Sequence, residues 1–173
     1  MYALIPFFPL AAFLVLGLAG NRIKERAHLV AVPAVVLSWL LSLFAFFEVA
    51  QGAPISQPLY TWLTSGHLDI HIGLYLDRLT VVMLLLVTTV SSLVHIYTIG
   101  YMHGEAGYAR FFSYIALFTF SMLMLVLADN LLLLYFAWEL VGLCSMLLIG
   151  YYNDKQSAGE AAKKAFITTR IGD

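Results

Sequence analysis

Charge is what this sequence has least of. Of 173 residues, 11% are Asp, Glu, Lys or Arg and 62% are hydrophobic, whereas soluble domains average about 25% charged and 45–50% apolar. A soluble fold of this length would need more polar surface than the chain owns, which excludes an ordinary soluble domain. Cysteine is nearly missing: Cys144 is the single one, so no intrachain disulfide can form. No CxxC, HExxH or paired Cys/His spacing occurs, so neither a metal nor a redox cofactor is expected on this chain. The net charge is −1 and no basic patch stands out, which excludes a nucleic-acid partner.

What the chain does have is apolar length. Crossing a hydrocarbon core of ~30 Å takes about 20 residues of helix, and runs at 2–19, 29–50, 79–100, 111–128 and 130–152 meet that need. A sixth helix is expected over 158–173, opened by the capping-box spacing Ser157-Ala158-Gly159-Glu160. The fold class is therefore an all-α polytopic membrane protein of five spans and the start of a sixth, forming one membrane domain over 1–173. Arg22, Lys24 and Arg26 follow the first apolar run and none precedes it, unlike a signal peptide. With the N-terminus outside, the cytoplasmic segments hold those three with Arg110, Lys155, Lys163 and Lys164, and the outer segments hold Arg78. That asymmetry obeys the positive-inside rule.

The long connection after the second span alternates. Leu68, Ile70, Ile72, Leu74 and Leu76 interleave with His67, Asp69, His71, Gly73 and Tyr75, the period of a strand with one apolar face. Thr64-Ser65-Gly66 reads as a turn, so an outer β-hairpin is expected over 59–76. The trio His67, Asp69 and His71 reads as a polar strand face rather than a metal site. Asp129 and Asn130 barely separate the fourth and fifth spans, forcing antiparallel neighbours, and either could cap the fifth helix.

Glu139 carries the chemistry. It lies two residues from the centre of 130–152, ~3 Å from the midplane, where a carboxylate is expensive and intramembrane acids are functional by default. Desolvation there favours the neutral acid and a nearby cation favours the carboxylate, so the group can accept and release a proton. On the third span, Thr88, Ser91 or Ser92, and His95 form a polar stripe that should face the bundle interior, with His95 a candidate relay. Arg170 and Asp173 share a helix face at i, i+3 and are expected to pair with each other or with other charges.

The stretch Leu127-Ala128-Asp129-Asn130-Leu131-Leu132, followed by Trp138-Glu139-Leu140-Val141-Gly142-Leu143-Cys144-Ser145, resembles a known family, as do Tyr101-Met102-His103-Gly104-Glu105 and Thr169-Arg170-Ile171-Gly172-Asp173. The family is subunit L of NADH-quinone oxidoreductase, chain 5 of complex I. The resemblance implies an antiporter-like subunit several times longer, with inverted repeats of five helices, in the proton-pumping membrane module of that enzyme. Partners would be the other membrane subunits, the lipid bilayer and protons, in a bacterial inner membrane. NADH, FMN, iron–sulfur clusters and quinone would be bound by other subunits. The family's essential fifth-helix glutamate falls on Glu139, and its sixth-helix arginine and aspartate on Arg170 and Asp173. Its partner lysine belongs to a seventh helix that this chain lacks, so the sequence reads as an N-terminal fragment. The alternatives are the large subunit of a multi-subunit sodium/proton antiporter or membrane hydrogenase, and, in another class, a structural membrane scaffold.

Overall fold

Proline shapes how the first helix is held. The structure, a computed structural model, describes residues 1–65 and 68–172 and their side chains other than those of Asn21, Leu63, Ser65, Leu68 and Asp69. The expected turn residue Gly66, with His67 and Asp173, lies outside the described residues. Helix α1 runs Leu4–Ile23 with Pro9 inside it. Pro9 has no N–H to offer the Ile5 carbonyl. Ser38 of α2 (His28–Gln51) supplies the missing donor, its Oγ donating to Ile5 O at 2.7 Å in a buried position. Ser38→Ala would leave that carbonyl buried and unpaired, and should cost about 1–3 kcal/mol. A thermal melt reads the loss, with the exposed Thr168→Ala as a control expected near zero.

A short 3-10 turn, Lys24–Arg26, joins α1 to α2. The remaining helices are α3 (Arg78–Tyr101), α4 (Tyr108–Leu127), α5 (Leu131–Ile149) and α6 (Gln156–Gly172). Among the described residues, four helical stretches are long and apolar enough to cross a membrane: Lys24–Gln51, Arg78–Tyr101, Tyr108–Leu127 and Leu131–Ile149. Leu4–Gly20 is apolar but shorter. Helix α5 stops at Ile149, three residues before the expected 152, because the chain turns at Gly150, whose N–H closes on Met146 O at 2.9 Å. Helix α6 starts before the expected capping box, so Ser157 falls inside its first turn and Gln156 Nε2 bonds Glu160 Oε1 at 2.9 Å.

Side chains cap α5, as expected, and α3. Asn130 Oδ1 accepts the Leu133 N–H at 2.9 Å at the start of α5. Asp77 Oδ1 accepts the Thr80 N–H at 2.7 Å at the start of α3. That backbone donor holds the Asp77 carboxyl below the usual carboxylate range. Stabilisation from a group lowered on folding is present above its unfolded pKa and is lost as pH falls through the lower folded value. Asp77→Asn should therefore flatten the acid side of the stability–pH curve, and Asp77→Ala should cost about 1 kcal/mol at neutral pH.

Helix α4 sits centrally, packed against α1, α2, α3 and α5, while α6 packs on α5. Two buried clusters result. One gathers Ile5, Val49, Leu74, Leu76, Leu84, Leu123 and Leu127; the other centres on Leu16, Met102, Tyr108, Phe112 and Tyr151. The first includes two hairpin residues, so the hairpin is seated on the bundle.

That hairpin pairs β1 (Ile55–Ser65) with β2 (Leu68–Leu76) antiparallel, from Ile55 opposite Leu76 to Ser65 opposite Leu68. It is longer than the expected 59–76. Thr64 and Ser65, expected as turn, are strand residues opposite Asp69 and Leu68. Register shifts fall between Pro58 and Tyr60 and between Thr61 and Leu63; the first follows from Pro58, which cannot donate to the ladder. The alternating apolar face is fully buried at Leu74 and Leu76, next to the helices.

Candidate functional site

Helix α5 is apolar nearly throughout, and Glu139 stands one residue from its middle, where its side chain is 17% exposed. The face it shares with Gly142 three residues on is the face against α6. Arg170, near the C-terminal end of α6, reaches back onto it. Its Nη1 forms an ion pair with Glu139 Oε2, and its Nη2 donates to the Glu139 backbone carbonyl at 3.1 Å. The guanidinium lies over the Phe166 ring, 4.9 Å from the centroid, with Phe166 one helical turn before it on the same face. Gly142 lies directly beneath the guanidinium: a methyl there would meet Nη2 at 3.7 Å, an ordinary contact, so an alanine would also fit. Carboxylate, carbonyl and ring together fix the cation in place.

Of the partners expected for Arg170, Asp173 or another charge, the structure gives it another charge, Glu139 on the facing helix. Helical periodicity gives a residue's neighbours on its own helix, but not the helix it faces. Asp173 lies outside the described residues.

His95 is 1% exposed on α3. Its Nδ1 donates to Ser91 O at 2.8 Å. Ser91 Oγ and Thr119 Oγ1 of α4 are 2.6 Å apart, and Thr119 Oγ1 donates to Ile115 O at 2.8 Å. Thr119 has one hydroxyl proton, so Ser91 donates to Thr119, and every donor in the row is spent. Nδ1 carries the imidazole proton by this network, leaving Nε2 a buried acceptor without a hydrogen-bond partner among the described residues. The rest of the stripe turns inward as expected, Thr88 being buried and bonded to Leu84 O at 2.7 Å.

The structure does not bring His95 to Glu139. Thr119 meets α3, whereas Ser121, two residues on, meets Cys144 of α5 at 3.7 Å. Two residues are about 200° on a helix, so α4 stands between the two sites.

The sequence reading missed a third polar group. His71 Nε2 of β2 lies 3.1 Å from Asp129 Oδ2, whose side chain is 7% exposed. Asn130 Nδ2 donates to His71 O at 2.7 Å and to Asp129 Oδ1 at 2.6 Å. Leu74 forms an isolated β-bridge with Ala128. The α4–α5 link is therefore bound to the hairpin as well as being a cap. Two adjacent polar residues between two apolar runs were the available signal. Of the expected polar face, His67 lies outside the described residues and Asp69 outside the described side chains.

Comparison with known proteins agrees with this architecture. Residues 62–112 match a family profile described as the N-terminus of NADH-ubiquinone oxidoreductase (complex I) chain 5, and residues 128–173 match one described as the transmembrane part of NADH:quinone oxidoreductase and Mrp antiporters. NADH-quinone oxidoreductase subunit L of Neisseria meningitidis serogroup B is 49% identical over the whole chain. The chain spans 26% of that relative's length. In fold it is similar to a chain of an archaeal membrane-bound sulfane sulfur reductase, with TM-score 0.82 at 19% identity over 99% of this chain and 34% of that one. A chain of the Mrp complex from Dietzia gives TM-score 0.70 at 26% identity, over 86% of this chain and 16% of that one. This chain belongs to the family of NADH-quinone oxidoreductase subunit L, the chain 5 family of complex I.

Proposed function

We propose that the chain works within a proton-translocating membrane subunit of NADH-quinone oxidoreductase, with Glu139 taking up and releasing the proton and Arg170 supplying its counter-charge. The observation that carries this reading is the ion pair between α5 and α6 at the middle of an apolar helix. A lone carboxylate at that depth costs several kcal/mol, and a paired one is retained where charge is used. Protonating Glu139 would cancel one half of the pair and leave the guanidinium's charge to act on its surroundings. Moving one charge against 100 mV takes ~2.3 kcal/mol, so the cycle must be driven.

In this reading electrons pass from NADH to quinone through FMN and iron–sulfur clusters in other subunits, and this chain holds no redox centre. The partners are the other membrane subunits of the complex. Helices α1 to α5 cross a bacterial inner membrane, with the N-terminus and the hairpin outside, and α6 begins a sixth crossing. His95 serves as a separate relay beyond α4, its Nε2 the acceptor, and Asp173, three positions after Arg170 in the sequence, adds an acid.

The deciding experiment is proton pumping by the assembled enzyme carrying Glu139→Gln, with sharply reduced pumping expected. A second reading, the large subunit of a multi-subunit sodium/proton antiporter, is favoured by the match to a profile that covers Mrp antiporters. Sodium flux that follows the same variant without NADH oxidation would select it.

A further inference from the structure

A proton can pass through an imidazole only if both ring nitrogens have somewhere to send it. At His95 one of them does not. Nδ1–H is held by the Ser91 carbonyl at 2.8 Å. Ser91 Oγ lies 3.3 Å from the same nitrogen and 2.6 Å from Thr119 Oγ1, which donates to Ile115 O at 2.8 Å. A proton leaving Nδ1 by this row would enter Ser91 Oγ, push the serine proton to Thr119 and the threonine proton onto that carbonyl. A backbone carbonyl accepts hydrogen bonds but has no proton of its own to pass on. The row is therefore a blind alley ending at Ile115. Stripping Nδ1 of its proton would also set a nitrogen lone pair against the Ser91 carbonyl oxygen, two acceptors face to face.

The other hydroxyls of the α3 stripe offer no way out either. Thr88 Oγ1 donates to Leu84 O, Ser92 Oγ to Thr88 O and Thr98 Oγ1 to Val94 O, each at 2.7 Å. Each has spent its one proton on a carbonyl of its own helix. Nε2 differs from all of these. It is a buried acceptor on a residue 1% exposed, and it has no hydrogen-bond partner among the described residues. Buried polar atoms are nearly always paired, and one left open calls for a use.

We propose that His95 takes up and returns protons at Nε2 alone, while the Ser91–Thr119 row carries none. His95 is then a terminal site that loads and unloads at one nitrogen, and the proton's way in is also its way out. The step balances on a single proton. Hydronium gives H⁺ to the Nε2 lone pair and leaves as water, the ring becomes imidazolium with N–H at both nitrogens, and the reverse step restores it. The role rests on the proton-translocating reading above; the single port rests on the hydrogen bonds.

Proton pumping by the assembled enzyme, measured per NADH oxidised, tests this. His95→Gln should lower it about tenfold or more, as loss of a proton-transfer group does. Ser91→Ala and Thr119→Val remove hydroxyls from the row but no proton carrier, and should stay within about twofold of the unaltered enzyme. A loss in Thr119→Val that matches His95→Gln and is restored by Thr119→Ser would overturn the proposal in favour of a through-going row. Unchanged pumping in His95→Gln would overturn it as well, whereas unchanged pumping in Glu139→Gln would strike the transport reading on which it rests. Nitrogen-15 spectra of the histidine-labelled enzyme read the tautomer directly, and decide the matter if a row variant fails to assemble. The His95 signals, identified by their absence in His95→Gln, should show N–H at Nδ1 and a bare Nε2. N–H at Nε2 with Nδ1 bare would overturn the single port.

Discussion

Glu139→Gln in the assembled enzyme should lower proton pumping roughly tenfold or more, since removing a positioned proton-transfer group typically costs at least that much. The amide keeps the shape and can still accept from Arg170, so assembly should survive. Arg170→Leu tests the other half. It strands a carboxylate in the middle of α5 and should destabilise the fold by about 3 kcal/mol, near the lower end for breaking a buried pair. Glu139 is 17% exposed and Arg170 30%, which is why the lower end applies. The double variant Glu139→Gln with Arg170→Leu should recover part of that loss, giving a coupling of about 1–3 kcal/mol. Melting temperatures of the purified complex measure the cycle, and a quenched-dye assay in proteoliposomes measures the pumping. A purely structural scaffold predicts instead that pumping follows the amount of assembled enzyme in all three variants.

Gly73→Val should be the most damaging change in the hairpin. A Cβ at residue 73 would fall on the Asp129 carboxylate, so either the strand lifts from the bundle or Asp129 leaves His71 and Asn130. Overpacking of this kind costs about 1–3 kcal/mol, and the lost buried polar contacts add a similar amount. About 3 kcal/mol in all corresponds to roughly 6–12 °C of melting temperature for a domain of this size. Valine's preference for strands works in the opposite sense, so a loss would identify the clash as the cause. The smaller pair Gly73→Ala with Asp129→Ser should recover part of the stability, because the serine vacates the space. Proteolysis near Tyr60 and Trp62, which are exposed on β1, should rise in the valine variant and return towards normal in the pair.

Length and apolarity made most of the helices legible in advance, since they follow from the bilayer's thickness and not from any partner. The ends were less so. Hydropathy carried the fifth helix on to Tyr152, whereas the backbone closes at Gly150; a C-cap depends on local hydrogen bonds that hydropathy does not weigh. Period-two alternation announced β2, but the two register shifts in β1 depend on Pro58 and on the strand opposite. Glu139 stood out because its depth alone makes it costly. Its partner Arg170, 31 positions along, could be placed only once α6 was known to fold back along α5. The contact of His71 with Asp129 spans an even greater separation, between a strand and a helix link that share no periodicity.

The bonds from Asp129 and Asn130 to His71, with the bridge from Ala128 to Leu74, have a mechanical consequence. The hairpin is bolted to the very end of the rod that carries Glu139, nine residues or about 13 Å further down. A tilt of about 5° at the bolt displaces that depth by ~1 Å, as much as separates a made ion pair from a loosened one. Whatever grips the strands from outside therefore holds a lever on the acid.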